Sequence, residues 1–138
     1  MRNVARALSL AIAWLLVAGL FVQVFLAGLG VFASPADFIT HQNFGYALEL
    51  LPLLLVVTGL LGRLGRRFVG LAGLIFGLFL LQSVFVGVRV DAPTIAALHP
   101  VNGFVILLLS IVEAREVTIV VRPPSGAVAA TPSKSTEP

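Results

Sequence analysis

Hydrophobic residues in this chain fall into four long blocks, and the residues that separate them are mostly turn formers and arginines. The first block runs from about Ala7 to Ala33, after Arg2 and Arg6. The second runs from Pro35 to Leu61, the third from Phe68 to Val88, and the fourth from Pro93 to Val112 with a helical extension to Glu116. Each reaches the ~20 residues that an α-helix needs to cross a bilayer. The basic start of the first block and its small residues at Ala33-Ser34 imitate a signal peptide, but its length far exceeds the ~7–15 residues of a secretory apolar core. It reads as an uncleaved helix. Ser34-Pro35 and Asp91-Ala92-Pro93 have the cap-then-proline form of a helix start, and Gly62-Arg63-Leu64-Gly65-Arg66-Arg67 that of a hairpin. Pro52 predicts a kink near Leu48 to Pro52. Pro100 predicts either a kink or a late start of the last helix, with Thr94 to His99 as a separate turn. Val117 to Val121 is strand-like in composition. The pattern predicts an all-α fold, a four-helix transmembrane bundle over residues 1–121. Residues 122–138, rich in Pro, Ser, Thr and Ala, read as a disordered cytoplasmic tail.

Within the apolar text the polar residues repeat. Gln23, Gly28, Pro35, His41 and Gly45 in the first half answer to Gln82, Gly87, Pro93, His99 and Gly103 in the second, with equal spacing everywhere except between Gly and Pro. Two tandem helical hairpins of like topology imply a pseudo-two-fold axis along the membrane normal, across which the second and fourth helices face each other.

Composition agrees with the pattern: 59% of residues are hydrophobic and 11% are charged, far from the average of a soluble domain. Cysteine is absent, so no disulfide or thiolate chemistry is available. The net charge of +3 is explained by topology and not by a nucleic-acid partner. With both termini in the cytoplasm, Arg2, Arg6, Arg63, Arg66, Arg67, Arg115, Arg122 and Lys134 lie inside and Arg89 alone lies outside, which is the positive-inside bias. The expectation is a multi-pass protein of the cell membrane whose first partner is the lipid bilayer; homo-oligomerisation is not legible.

The only two histidines occupy equivalent places near the outer face. Two neutral imidazoles approaching from opposite walls of a bundle suit the axial positions of a haem iron. Gly45 and Gly103, one turn beyond each histidine, would leave room for a flat macrocycle. Asn43 and Asn102 are candidates to fix ring orientation, and Arg89 to pair with a cofactor carboxylate. The residues are equally compatible with a structural use, in which histidines bond to carbonyls and glycines allow close packing. Zinc fits less well, because two histidines alone do not make a tetrahedral site. Gln23, Gln82 and Glu49 are further intramembrane polar residues, with interhelical hydrogen bonding as their simplest role; Glu49 is also placed to relay protons. Two functions follow: a module that binds b-type haem and exchanges electrons with a membrane redox partner or quinone, or a non-catalytic structural or interaction subunit with no cofactor. No residue set names a reaction, and transport lacks a broken-helix signature beyond Pro52.

The stretch Leu81-Gln82-Ser83-Val84-Phe85-Val86-Gly87, followed by Leu98-His99 and an apolar helix, resembles the third and fourth helices of one half of haem A synthase. His41 matches the other histidine of that half. The resemblance covers about Gln23 to Val112 and implies a four-helix bundle in which His41 and His99 are axial ligands of a b-type haem. The enzyme's glutamate, three residues before its first histidine, is replaced here by Phe38, so the resemblance extends to haem binding and stops short of catalysis. The chain is also similar to the small four-helix bacterial membrane proteins grouped as DUF6220, a resemblance that implies location and fold but no activity.

Overall fold

The computed structural model describes residues 1–122, and these are all-α. Helix α1 (Arg2–Phe32) leads through a 3-10 turn (Pro35–Asp37) into α2 (Phe38–Gly62). Helix α3 (Arg66–Gly87) then leads through the single turn α4 (Pro93–Ala96) into α5 (Leu98–Val121). The stretches Arg2–Phe32, Pro35–Gly62, Arg66–Gly87 and Pro93–Val121 are each long and apolar enough to cross a membrane. Their outward faces carry large exposed apolar side chains such as Phe25, Leu54, Leu74 and Leu108, as a lipid-facing surface requires. The tail beyond Arg122 lies outside the described residues.

Helix α1 packs on α2 and α5, and α3 packs on the same two, so α2 and α5 stand on one diagonal of the bundle and α1 and α3 on the other. Lipid is as apolar as leucine, so packing fit and interhelical polar bonds hold such a bundle together. Both are visible. The Leu48 side chain fills the space in front of Gly19, the Phe38 ring that in front of Gly30, and the Phe68 ring that in front of Gly59. Leu16, Leu55, Ile75 and Ile106 are fully buried at the centre. The Ser9 hydroxyl donates to Thr58 Oγ1 at 2.9 Å, and Arg6 Nε donates to Gly62 O at 2.9 Å, tying α1 to the end of α2.

Local details bear out some of the sequence expectations and depart from others. The second span opens with a 3-10 turn, in which Ser34 Oγ accepts from the Ala36 N–H at 3.3 Å. Helix α2 continues through Pro52, which is buried. The left-handed residue that ends α2 is Arg63, with φ 51°, and not a glycine. Gly62 serves a different need, since a Cβ there would lie 3.2 Å from Arg6 Cγ and 3.4 Å from the Arg6 nitrogen. Pro100 is accommodated by a break at Ala97: it becomes the third residue of α5, where a backbone N–H would have no acceptor within the helix. Val117 to Val121, strand-like in isolation, is helical. Val117 continues the buried line of α5, and that tertiary packing overrides its local preference.

Candidate functional site

Helices α2 and α5 place their histidines opposite each other across the bundle. The ring centroids of His41 and His99 are 6.2 Å apart, with ring planes inclined at 64°. His41 begins the inward line His41, Gly45, Leu48, Pro52 and Leu55 of α2, and its half-buried ring is covered on one side by Phe38, edge-on at 6.2 Å. His99 stands in the first turn of α5 and is also half-buried.

Each ring is held by the glutamine of the preceding helix, through the backbone. His41 Nδ1 lies 3.1 Å from Gln23 O, and His99 Nδ1 lies 3.4 Å from Gln82 O. A carbonyl oxygen only accepts, so Nδ1 is the donor on both rings, and a neutral imidazole then carries its lone pair on Nε2. Anchoring Nδ1 is how a ligating histidine is oriented; the Nε2 lone pair of His41, however, is met by the Gln23 amide, whose Nε2 lies 3.4 Å away. Among the described residues no third histidine, cysteine or carboxylate joins the pair.

The glutamine side chains do a second job. Gln23 Nε2 donates to His41 O at 2.8 Å and lies 3.4 Å from His41 Nε2. Gln82 Oε1 accepts from Asn102 Nδ2 at 2.9 Å, and the same amide also donates to Leu78 O at 2.9 Å. These amides stand where the two glycines lack side chains: a Cβ on Gly45 would come within 2.8 Å of Gln23 Nε2, and one on Gly103 within 3.3 Å of Gln82 Nε2. The immediate neighbour of each glycine is therefore a glutamine amide.

The remaining candidates are more dispersed. Asn102 is buried in the network, whereas Asn43 is exposed; the residue facing inward at the place equivalent to Asn102 is Phe44, packed against the core. Arg89 is exposed at the end of α3 and donates to Val86 O at 2.9 Å. Glu49 is half-buried beside the inward line of α2. The carboxylate that the structure does bury is Glu113, read from sequence as part of a segment leaving the bilayer. It is 1% exposed, and neither of its oxygens has a hydrogen-bond partner. Its position was available in the sequence, because Ile106, Ser110, Glu113 and Val117 fall at helical spacing on one buried face.

Residues 23–88 match a family of unknown function, DUF6220. The DUF6220 match starts at Gln23 and takes in His41, Gly45 and Gln82, ending before His99. It covers a little under half of the chain, namely the end of α1 together with α2 and α3. No curated protein and no solved structure matches the chain.

Proposed function

We propose that His41 and His99 would together hold the iron of one b-type haem, and that the protein exchanges electrons with a redox partner in or beside the membrane. The observation that carries this reading is the 6.2 Å separation of two opposed imidazoles whose Nδ1 atoms are both committed to carbonyls. Two rings that grip one ion through metal–nitrogen bonds of about 2 Å each have centroids roughly 6 Å apart. The separation of the rings therefore fits a bis-imidazole site, with the Gln23 amide to be displaced from His41 Nε2. The recurrence of the glutamine carbonyl behind each ring supports two tandem hairpins as the plan of the fold. Seven arginines at the end that carries Arg2 and Arg122, against Arg89 at the other, support a cytoplasmic location for that end.

In this reading Gln23 and Gln82 are positioning residues. Their carbonyls hold each ring in the Nδ1–H tautomer, and their amides, which occupy the space beside Gly45 and Gly103 expected from sequence to be clear for a macrocycle, would have to turn aside for haem to enter. Phe38, edge-on to His41, adds apolar cover to the half-buried pair, and such cover would tune the potential of a bound iron. A bound haem would supply one-electron chemistry; the chain would supply ligands and their orientation.

A second reading has its own observation. The Gln23 amide sits within 3.4 Å of His41 Nε2 and bonds to the His41 carbonyl, which is also what an interhelical lock with no cofactor requires. Purification from haem-replete cells separates the two. The haem reading expects a red protein with a reduced-minus-oxidised difference spectrum that is lost in His41→Ala and in His99→Ala. A colourless wild-type protein, folded and helical, leaves the lock.

A further inference from the structure

Far from the histidines, between α1 and α5 at the end of the bundle that carries Arg2 and Arg122, lies a groove of about 340 Å³. Ala7, Leu10, Ala11 and Trp14 form one wall. They recur at helical spacing, so they make a single face of α1. Thr118 and Arg122, one turn apart on α5, form the other. The two alanines leave the floor open. The Trp14 indole closes the inner end, where its Nε1–H donates to Thr118 Oγ1 at 3.0 Å. Thr118 in turn donates to Ala114 O at 2.6 Å, which fixes the acceptor. Arg122, exposed, stands at the outer end. Polarity therefore rises along the groove, from an aromatic and alkyl interior to a cation at its mouth.

We propose that this groove binds one anionic phospholipid, with its phosphate at Arg122 and an acyl chain along Ala7, Ala11 and Trp14. Three observations select that occupant. The groove opens on the lipid-facing side of a spanning pair of helices, so the molecules that reach it are lipids. Its gradient from apolar to cationic runs the way a phospholipid's does, from chain to headgroup. Among the described residues, this end of the bundle holds Arg2, Arg6, Arg63, Arg66, Arg67, Arg115 and Arg122 against only Glu113 and Glu116. Glu116 is already paired with Arg67 at 2.6 Å, so the local field favours an anionic headgroup over a zwitterionic one. The proposal is independent of the haem reading.

Trp14 is the only tryptophan in the chain, so its fluorescence reports on this groove alone. The full-length protein is reconstituted in phosphatidylcholine vesicles containing a minor fraction of phosphatidylglycerol, with bromine on the acyl chains of one lipid or the other. Brominated phosphatidylglycerol is expected to quench Trp14 about fivefold more per molecule than brominated phosphatidylcholine, the preference of one arginine for an anionic lipid. Arg122→Gln should bring the two to parity, Arg122→Lys should keep most of the preference, and Arg115→Gln should keep all of it. Ala11→Leu, which fills the floor, should lower quenching by both lipids while the helical circular dichroism stays unchanged. Equal quenching by the two lipids in the wild type overturns the proposal, as does a preference that survives both Arg122→Gln and Ala11→Leu. Loss of the preference on adding inorganic phosphate at matched ionic strength also overturns it, because a free anion is then the ligand.

Discussion

The two hairpins use the same device at the histidines and different devices around it. In both, a glutamine carbonyl holds Nδ1 of the ring that follows in the chain. In the second, the glutamine side chain is itself bonded, since Asn102 donates to Gln82 Oε1. In the first, Phe44 takes the corresponding place, and Gln23 Oε1 is buried without a partner. The shared feature orients an imidazole; the unshared one satisfies an amide. Ring orientation is thus the part of the site that both halves keep, and the amide network is local adjustment. The glycines differ in the same way. Gly19 and Gly30 of α1 are filled by side chains of α2, whereas Gly70, Gly73 and Gly77 of α3 have nothing within 4 Å of the position a Cβ would take.

These differences can be broken one at a time, and unfolding in detergent by heat or by titrated denaturing surfactant reads the result. The largest effect is expected at Gly30, where a Cβ would lie 2.7 Å from the Phe38 ring. Gly30→Ala should destabilise by about 1–3 kcal/mol through overpacking, and an unchanged midpoint would show that the helices are not held as described. Glu113→Leu comes next, with the opposite sign. Replacing a buried carboxylate that has no partner by an apolar side chain should stabilise by roughly 1–3 kcal/mol; a loss of stability would mean that Glu113 has a partner. The two glutamines should then separate. Gln82→Leu removes an acceptor from Asn102 and should cost about 1–2 kcal/mol, whereas Gln23→Leu also removes an unsatisfied oxygen and should cost less than about 1 kcal/mol. Equal costs would erase the asymmetry between the halves. The smallest effect belongs to Gly73→Ala, on the open face of α3, where better helix propensity should stabilise by up to about 1 kcal/mol.

The four spans and their hairpins were legible because hydropathy and turn chemistry act locally. So was the meeting of His41 and His99, because a repeat with matched spacing puts equivalent residues on equivalent helices, here the diagonal pair α2 and α5. Rotation about each helix axis was harder to read. Lipid-facing and core-facing residues are both apolar in a membrane, so the usual contrast that marks a buried face is missing. That is why Glu49 drew attention ahead of Glu113, although the buried spacing Ile106, Ser110, Glu113, Val117 was present. The contact between Gln23 and Gly45 was out of reach altogether, because it depends on the depth at which α1 and α2 pair. The left-handed turn at Arg63 was hidden for a related reason. Gly62 next to it is the usual residue for such a turn, but here it is needed for the approach of Arg6.

The claim that two imidazoles share one iron is tested most directly by electron paramagnetic resonance of the oxidised protein, purified in detergent from haem-replete cells. The account predicts a low-spin ferric signal with the anisotropy of two steeply inclined imidazole planes, in keeping with the 64° between the rings, and its conversion or loss in both His41→Ala and His99→Ala. A folded protein with no haem, or a high-spin signal indifferent to one of the two substitutions, would contradict it.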